Sequence, residues 1–154
     1  MSCLARSPRL LLLDEPTAGL DPVVRDELLE ALFEIVEQGE CSIFYSTHIL
    51  SDVSRLADEL VFLVDGRILR RCSKADLTDE WRRVSFRLTG SRTTLPSTVQ
   101  HRHEGDEHQV ISSDFAATLE RLRHLGAENV REHRMSIDEI AVQILKGDQH
   151  VAGS

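Results

Sequence analysis

At 154 residues, with 41% hydrophobic and 29% charged side chains, the chain has the make-up of a soluble globular protein long enough to bury a core. A formal net charge of -8, with the acids dispersed, argues against a nucleic-acid or anionic-membrane footprint. No apolar run approaches the ~20 residues that cross a bilayer, and the N-terminus lacks the basic and apolar regions of a signal peptide, so any membrane association would come through a partner. Cys3, Cys41 and Cys72 are far apart with no Cys-x-x-Cys pair, which fits reduced thiols in a cytosolic setting.

Met1 to Pro8 reads as the tail of a helix, with Pro8 setting up a strand from about Arg9 to Leu13. Leu10 to Leu13 show no alternation, which predicts a strand buried on both faces, as in a parallel sheet covered by helices. Asp14 and Glu15 follow at its C-terminal end, where open α/β sheets bind ligands. Asp14 suits a Mg²⁺ ligand and Glu15 a general base toward a phosphoryl group, although taken alone the pair reads more simply as two surface acids.

Asp21-Pro22 is a helix start, because the Asp side chain can accept from orphan amides and Pro in the first turn gives up no needed donor. Val24, Leu28, Leu32 and Ile35 recur at helical spacing to about Glu37, a stripe facing the sheet, and Gly39 stops the helix. Cys41 to Thr47 reads as the next buried strand and delivers His48 to the same sheet end as Asp14. A short helix from Ile49 to about Ala57 turns Leu50, Val53 and Leu56 inward. Strands at Glu59 to Val64 and Arg67 to Cys72 form a hairpin about Asp65-Gly66, and Ser73 to Leu77 makes a short capped helix.

From Thr78 the composition turns more polar, with Gly90, Pro96 and a Ser91, Thr93, Thr94 cluster, so the chain divides into residues 1–77 and 78–154. In the second part Val84 to Leu88 alternates as a strand, and Thr98 to Glu104 with Glu107 to Ile111 forms a second hairpin. Phe115, Leu119, Leu122 and Leu125 mark an amphipathic helix ending at Gly126. A strand at Val130 to Arg134 precedes a last helix from Ser136 to about Lys146, opened by a capping box of Ser136 and Glu139. Trp81 reads as a core anchor. His101, His103 and His108 crowd the hairpin and invite a metal reading, but they lie on a polar loop with no Cys partner, so a surface cluster is the simpler reading.

The leucine run ending in Asp14-Glu15, the Pro16-Thr17-Ala18-Gly19-Leu20-Asp21-Pro22 stretch directly after it, and His48 closing the next apolar run together resemble the ATP-binding subunits of ABC transporters. The resemblance covers Leu4 to about Lys74 well and the remainder loosely. In that family the strand and its acids are the Walker B motif, Gly19-Leu20-Asp21 falls in the D-loop, and His48 matches the switch histidine. The resemblance implies an α/β fold, a partial P-loop NTPase-type parallel sheet with flanking helices followed by a small α+β C-terminal domain. It also implies ATP and Mg²⁺ as cofactors of the complete subunit. Asp14 would help hold the metal, Glu15 polarise the attacking water, His48 contact the γ-phosphate, and Asp21 couple two subunits. The implied partners are a transmembrane permease and a second ATP-binding subunit, with no nucleic acid. The implied location is cytoplasmic, peripheral at the inner face of the cell membrane. The second part, through its Met135-Ser136-Ile137-Asp138-Glu139-Ile140 ending, resembles the small C-terminal domain of bacterial exporter-type ATPase subunits. Either a dimerisation or regulatory role or a packing extension would follow.

The departure from the family is that no Gly-rich P-loop, signature run or glutamine loop occurs in the sequence. The P-loop holds the β and γ phosphates, so the expectation is a C-terminal part of a longer subunit that hydrolyses ATP, inactive by itself. In the family topology the P-loop strand separates the strand ending at His48 from the strand Glu59 to Val64. Its absence predicts unpaired edges or a non-family closure, and a poorly soluble or marginally stable chain. A second reading is a non-catalytic interaction or dimerisation module. A chromosome-maintenance ATPase head fits less well, since no heptad-bearing segment is present.

Overall fold

The computed structural model describes residues 8–39, 41–89 and 94–151, without the side chains of 148–151. The helix tail expected before Pro8 and most of the Ser/Thr cluster at 91–94 lie outside the described residues. Contacts divide the chain into two compact units, Met1–Ala57 and Asp58–Ser154, so the break falls ahead of the composition change at Thr78.

In the first unit β1 (Leu10–Asp14) runs parallel to β2 (Ser42–Ser46), with Leu11 opposite Ile43, Leu12 opposite Phe44 and Asp14 opposite Ser46. The parallel crossover is made by α1 (Pro22–Glu37), and α2 (Leu50–Leu56) follows β2. The helix start at Asp21-Pro22 is as the sequence predicts: the Asp21 carboxylate accepts from the amides of Val23 and Val24 at 3.1 and 3.2 Å.

Two expectations about burial need correction. The leucine run is not buried on both faces: Leu11 is buried, but Leu10 and Leu12 are 55% and 71% exposed, as is Phe44 at 62%. Side chains alternate across a strand, so Leu10, Leu12 and Phe44 share one face of the pair and Leu11, Leu13, Ile43 and Tyr45 the other. Tyr45 bonds to Asp52 of α2, so helix covers its face; the opposite face has no covering layer among the described residues of the unit. A run apolar on both sides needs two such layers. In α1 the buried positions are Leu29 and Leu32, with Leu28 and Ile35 half-buried and Val24 exposed, so the inward stripe includes Leu29 and leaves out Val24.

The second unit contains β3 (Glu59–Val64) and β4 (Arg67–Ser73), an antiparallel hairpin, then α3 (Lys74–Glu80). Asp65 and Gly66 both have positive φ, 48° and 74°, the backbone that a two-residue hairpin turn requires. β2 has β1 as its hydrogen-bonded neighbour and β3 has β4, so the described strands form separate small sheets. Among the described residues no hydrogen-bonded pairing joins β2 to β3.

A four-stranded antiparallel sheet follows, in the order β6 (Thr98–Glu104), β7 (Glu107–Ser112), β5 (Arg82–Arg87), β8 (Glu128–Arg134). β5 is central and alternates strictly, placing Val84 and Phe86 in a core with Leu88, Leu95, Val110 and Leu122, the last from α4 (Phe115–His124). Trp81 is buried as expected. The last helix, α5 (Ile137–Val151), opens with the predicted capping box. The Glu139 amide donates to Ser136 Oγ at 3.2 Å and the Ser136 amide to Glu139 Oε2 at 2.9 Å.

Candidate functional site

Parallel pairing of β1 and β2 brings both C-terminal ends to one edge. The Glu15 amide donates to Ser46 O at 3.0 Å, continuing the ladder one residue past β1, and Ser46 Oγ donates to Asp14 Oδ1. At Glu15 the chain turns with φ of 45°, a left-handed backbone that costs a side-chain-bearing residue about 1–2 kcal/mol and recurs at functional sites. From that turn the Glu15 carboxylate reaches His48, two residues past the end of β2. The His48 amide donates to Glu15 Oε1 at 3.0 Å, and His48 Nδ1 lies 2.9 Å from the same oxygen. The two acids and the imidazole, separated by more than thirty positions in the chain, therefore converge on one sheet edge.

The second Glu15 oxygen, Oε2, is buried and has no hydrogen-bond partner among the described residues. Leaving such an acceptor unmade costs roughly 1–3 kcal/mol, so a donor or cation brought to it would be stabilising. Asp14 beside it is exposed and offers another hard oxygen. These residues fit the metal and water side of a Mg²⁺–nucleotide site, since Mg²⁺ is commonly held by one or two carboxylates together with substrate phosphates. The phosphate side is not supplied: none of the 154 residues forms a P-loop. Asp21 stands apart from the Glu15–His48 pair, with its carboxylate engaged at the start of α1.

His48 and Glu15 side chains are 75% and 37% exposed, and a contact as open as this is worth about 0–1 kcal/mol. A buried cluster underneath does more to hold the two loops. Asp52 of α2, fully buried, accepts from Thr17 Oγ1 at 2.6 Å and Tyr45 OH at 2.8 Å on one oxygen, and from Arg25 Nε at 2.9 Å on the other. Thr17 is itself buried and lies 3.2 Å from Tyr45 OH. Burial opposes the Asp52 charge, but the bonds from Arg25, Thr17 and Tyr45 outweigh it and hold the carboxyl below its ordinary range. Sequence reading missed this cluster, because an Asp in a helix is ordinarily a surface residue and its three partners come from three other elements.

A shallow cleft of about 220 Å³ between α1 and α2 is lined by Pro22, Asp26, Leu29 and Arg55 together with Arg25 and Asp52, and does not include Glu15 or His48. In the second unit His101 Nε2 lies 3.0 Å from His108 Nδ1, and His108 stacks on Phe86 with ring centroids 5.1 Å apart. Burial, then the nearby His108 and His103, lower the His101 pKa. Among the described residues no group of three or more His, Cys, Asp or Glu side chains is placed to hold a metal ion, and no helix is long and apolar enough to cross a membrane.

A parallel strand pair with adjacent carboxylates at one strand end and a histidine just past the other is part of a P-loop NTPase-type α/β fold. No protein-family model matches the chain. It is 32% identical over 124 residues to an energy-coupling factor transporter ATP-binding protein of Streptococcus sanguinis, covering 80% of this chain and 43% of that protein. It is 31% identical over 143 residues to a fluoroquinolones export ATP-binding protein of Mycobacterium tuberculosis, covering 92% and 45%. It is 45% identical over 74 residues to a molybdenum import ATP-binding protein of Albidiferax ferrireducens, covering 48% and 20%. A solved structure of an ATP-binding subunit of an ABC transporter is similar over 47% of this chain and 30% of that one, with 36% identity and a TM-score of 0.42. The chain is a relative of the ATP-binding proteins of ABC transporters, and it spans less than half the length of these curated relatives.

Proposed function

We propose that this chain is the part of an ABC transporter ATP-binding subunit that carries the hydrolytic carboxylate and the switch histidine, within a protein that couples ATP hydrolysis to transport. The observation that supports it most is the Glu15–His48 contact at the joined ends of β1 and β2, with a second Glu15 oxygen that has no partner among the described residues. In this reading residues 1–77 belong to the nucleotide-binding domain and 78–154 form a small accessory domain. The subunit works as a dimer with a transmembrane permease, at the cytoplasmic face of the membrane.

Mg²⁺, bound with the nucleotide, would neutralise phosphate charge at the reacting centre. Asp14 offers it an oxygen. Glu15 Oε2 accepts a proton from the attacking water while Oε1 stays engaged with His48, so the imidazole keeps the carboxylate oriented. His48, three-quarters exposed, is free on its other ring nitrogen to meet a phosphoryl oxygen. Asp21, which caps α1 at the surface, would meet an opposing subunit. The P-loop comes from residues other than these 154.

The test is Glu15→Gln in the complete subunit, which should abolish turnover while MgATP binding is kept. Retained hydrolysis would overturn the assignment. A second reading, a non-catalytic interaction or dimerisation module, is favoured by the missing P-loop and by the open apolar face of β1 and β2; nucleotide binding by the chain itself separates the two.

A further inference from the structure

The buried cluster around Asp52 links the two loops that carry the candidate hydrolytic pair. Thr17 lies two residues beyond Glu15, inside the turn closed by the Ala18 amide donating to Glu15 O at 3.1 Å and the Leu20 amide to Thr17 O at 3.2 Å. Asp52 lies four residues beyond His48, in the first turn of α2, where its amide donates to Ile49 O at 3.1 Å. The 2.6 Å bond from Thr17 Oγ1 to Asp52 Oδ2 is therefore a buried tie between the Glu15 loop and the His48 loop. Tyr45, three residues before His48, bonds to the same Asp52 oxygen from β2, and Arg25 anchors the other oxygen from α1.

Resting on the reading of Glu15 and His48 given above, we infer that Asp52 and Thr17 are positioning residues for hydrolysis. Their buried hydrogen bond holds the Glu15 carboxylate at the His48 imidazole. Neither side chain belongs to the Glu15–His48 contact: Thr17 and Asp52 are buried, whereas that contact is exposed. Their loss alters where Glu15 points, not whether nucleotide binds, so it appears in kcat and leaves KM alone.

The experiment uses the complete subunit and compares Thr17→Val, Thr17→Ser, Asp52→Asn and Glu15→Gln for steady-state ATP hydrolysis. Valine matches threonine in shape and removes only the hydroxyl; serine restores it. The expected result is a kcat loss of about tenfold or more for Thr17→Val with KM for ATP within about twofold, substantial recovery in Thr17→Ser, and no further loss when Asp52→Asn is added to Thr17→Val. Wild-type kcat in folded Thr17→Val, or an equal loss in Thr17→Val and Thr17→Ser, would overturn the positioning role. Should Asp52→Asn fail to fold, the valine and serine pair still decides the question. Glu15→Gln separates the two levels: retained turnover in that variant refutes the function of Glu15, whereas an inactive Glu15→Gln beside a fully active Thr17→Val refutes only the tie.

Discussion

His48 Nδ1 lies 2.9 Å from Glu15 Oε1, an oxygen that also accepts the His48 amide at 3.0 Å. One carboxylate oxygen thus meets both the backbone and the ring of the same residue, which fixes the imidazole relative to the acid and leaves Oε2 without a partner among the described residues.

From this follows a difference between two variants of the complete subunit. Glu15→Gln removes the proposed base and should eliminate turnover, whereas His48→Ala leaves that carboxylate in place and should lower kcat by about 10²-fold, the scale of a positioned proton-transfer or orienting group. Single-turnover hydrolysis measures both. Equal activity of His48→Ala and wild type would show that the contact has no part in the reaction.

The 154-residue chain by itself has no P-loop, so saturating MgATP should leave its melting temperature unchanged. A competent binder at a hundredfold excess over Kd would gain about 2.7 kcal/mol. Differential scanning fluorimetry with and without MgATP decides it, and a clear upward shift would refute the expectation.

The open face of the β1–β2 pair predicts an unusual tolerance. Leu12→Glu and Phe44→Ser should change unfolding free energy by no more than about 0.5 kcal/mol, because those side chains are already in water, and should raise solubility. Leu122→Ala, deep in the core of the second unit, should cost about 2–5 kcal/mol. Urea melts of the three variants test the contrast.

Two groups make the folded chain sensitive to acid, each in its own pH range. Asp52 is held below its ordinary value of 3.8, against the pull of burial, by Arg25, Thr17 and Tyr45. Its contribution is complete above that value and is lost as pH falls through the depressed one. His101 is held below 6.5 by burial and by His108 and His103, so the unfolded chain takes up a proton there first. The second unit should therefore lose stability as pH falls below 6.5, down to the depressed His101 value. Fluorescence of Trp81, the single tryptophan, reports that unit in urea titrations between pH 7.5 and 5, and His101→Gln should flatten the slope.

What could be read from residue order alone were the features governed by short-range rules. Asp21-Pro22 opens a helix, Asp65-Gly66 turns a hairpin and Ser136 with Glu139 closes a capping box, because each is decided by groups within a few positions of one another. The convergence of Asp14, Glu15 and His48 was legible for a similar reason: two parallel strands deliver their C-terminal ends to one edge whatever packs around them. Burial was not. Four leucines declare only that both faces of a strand prefer cover, and whether a second layer exists depends on residues elsewhere, so Leu10 and Leu12 ended in water. Asp52 shows the converse, since it could be buried only once Thr17, Tyr45 and Arg25 had arrived from three other elements to meet its charge. Those partners are distant in sequence, and tertiary packing alone brings them within hydrogen-bonding reach.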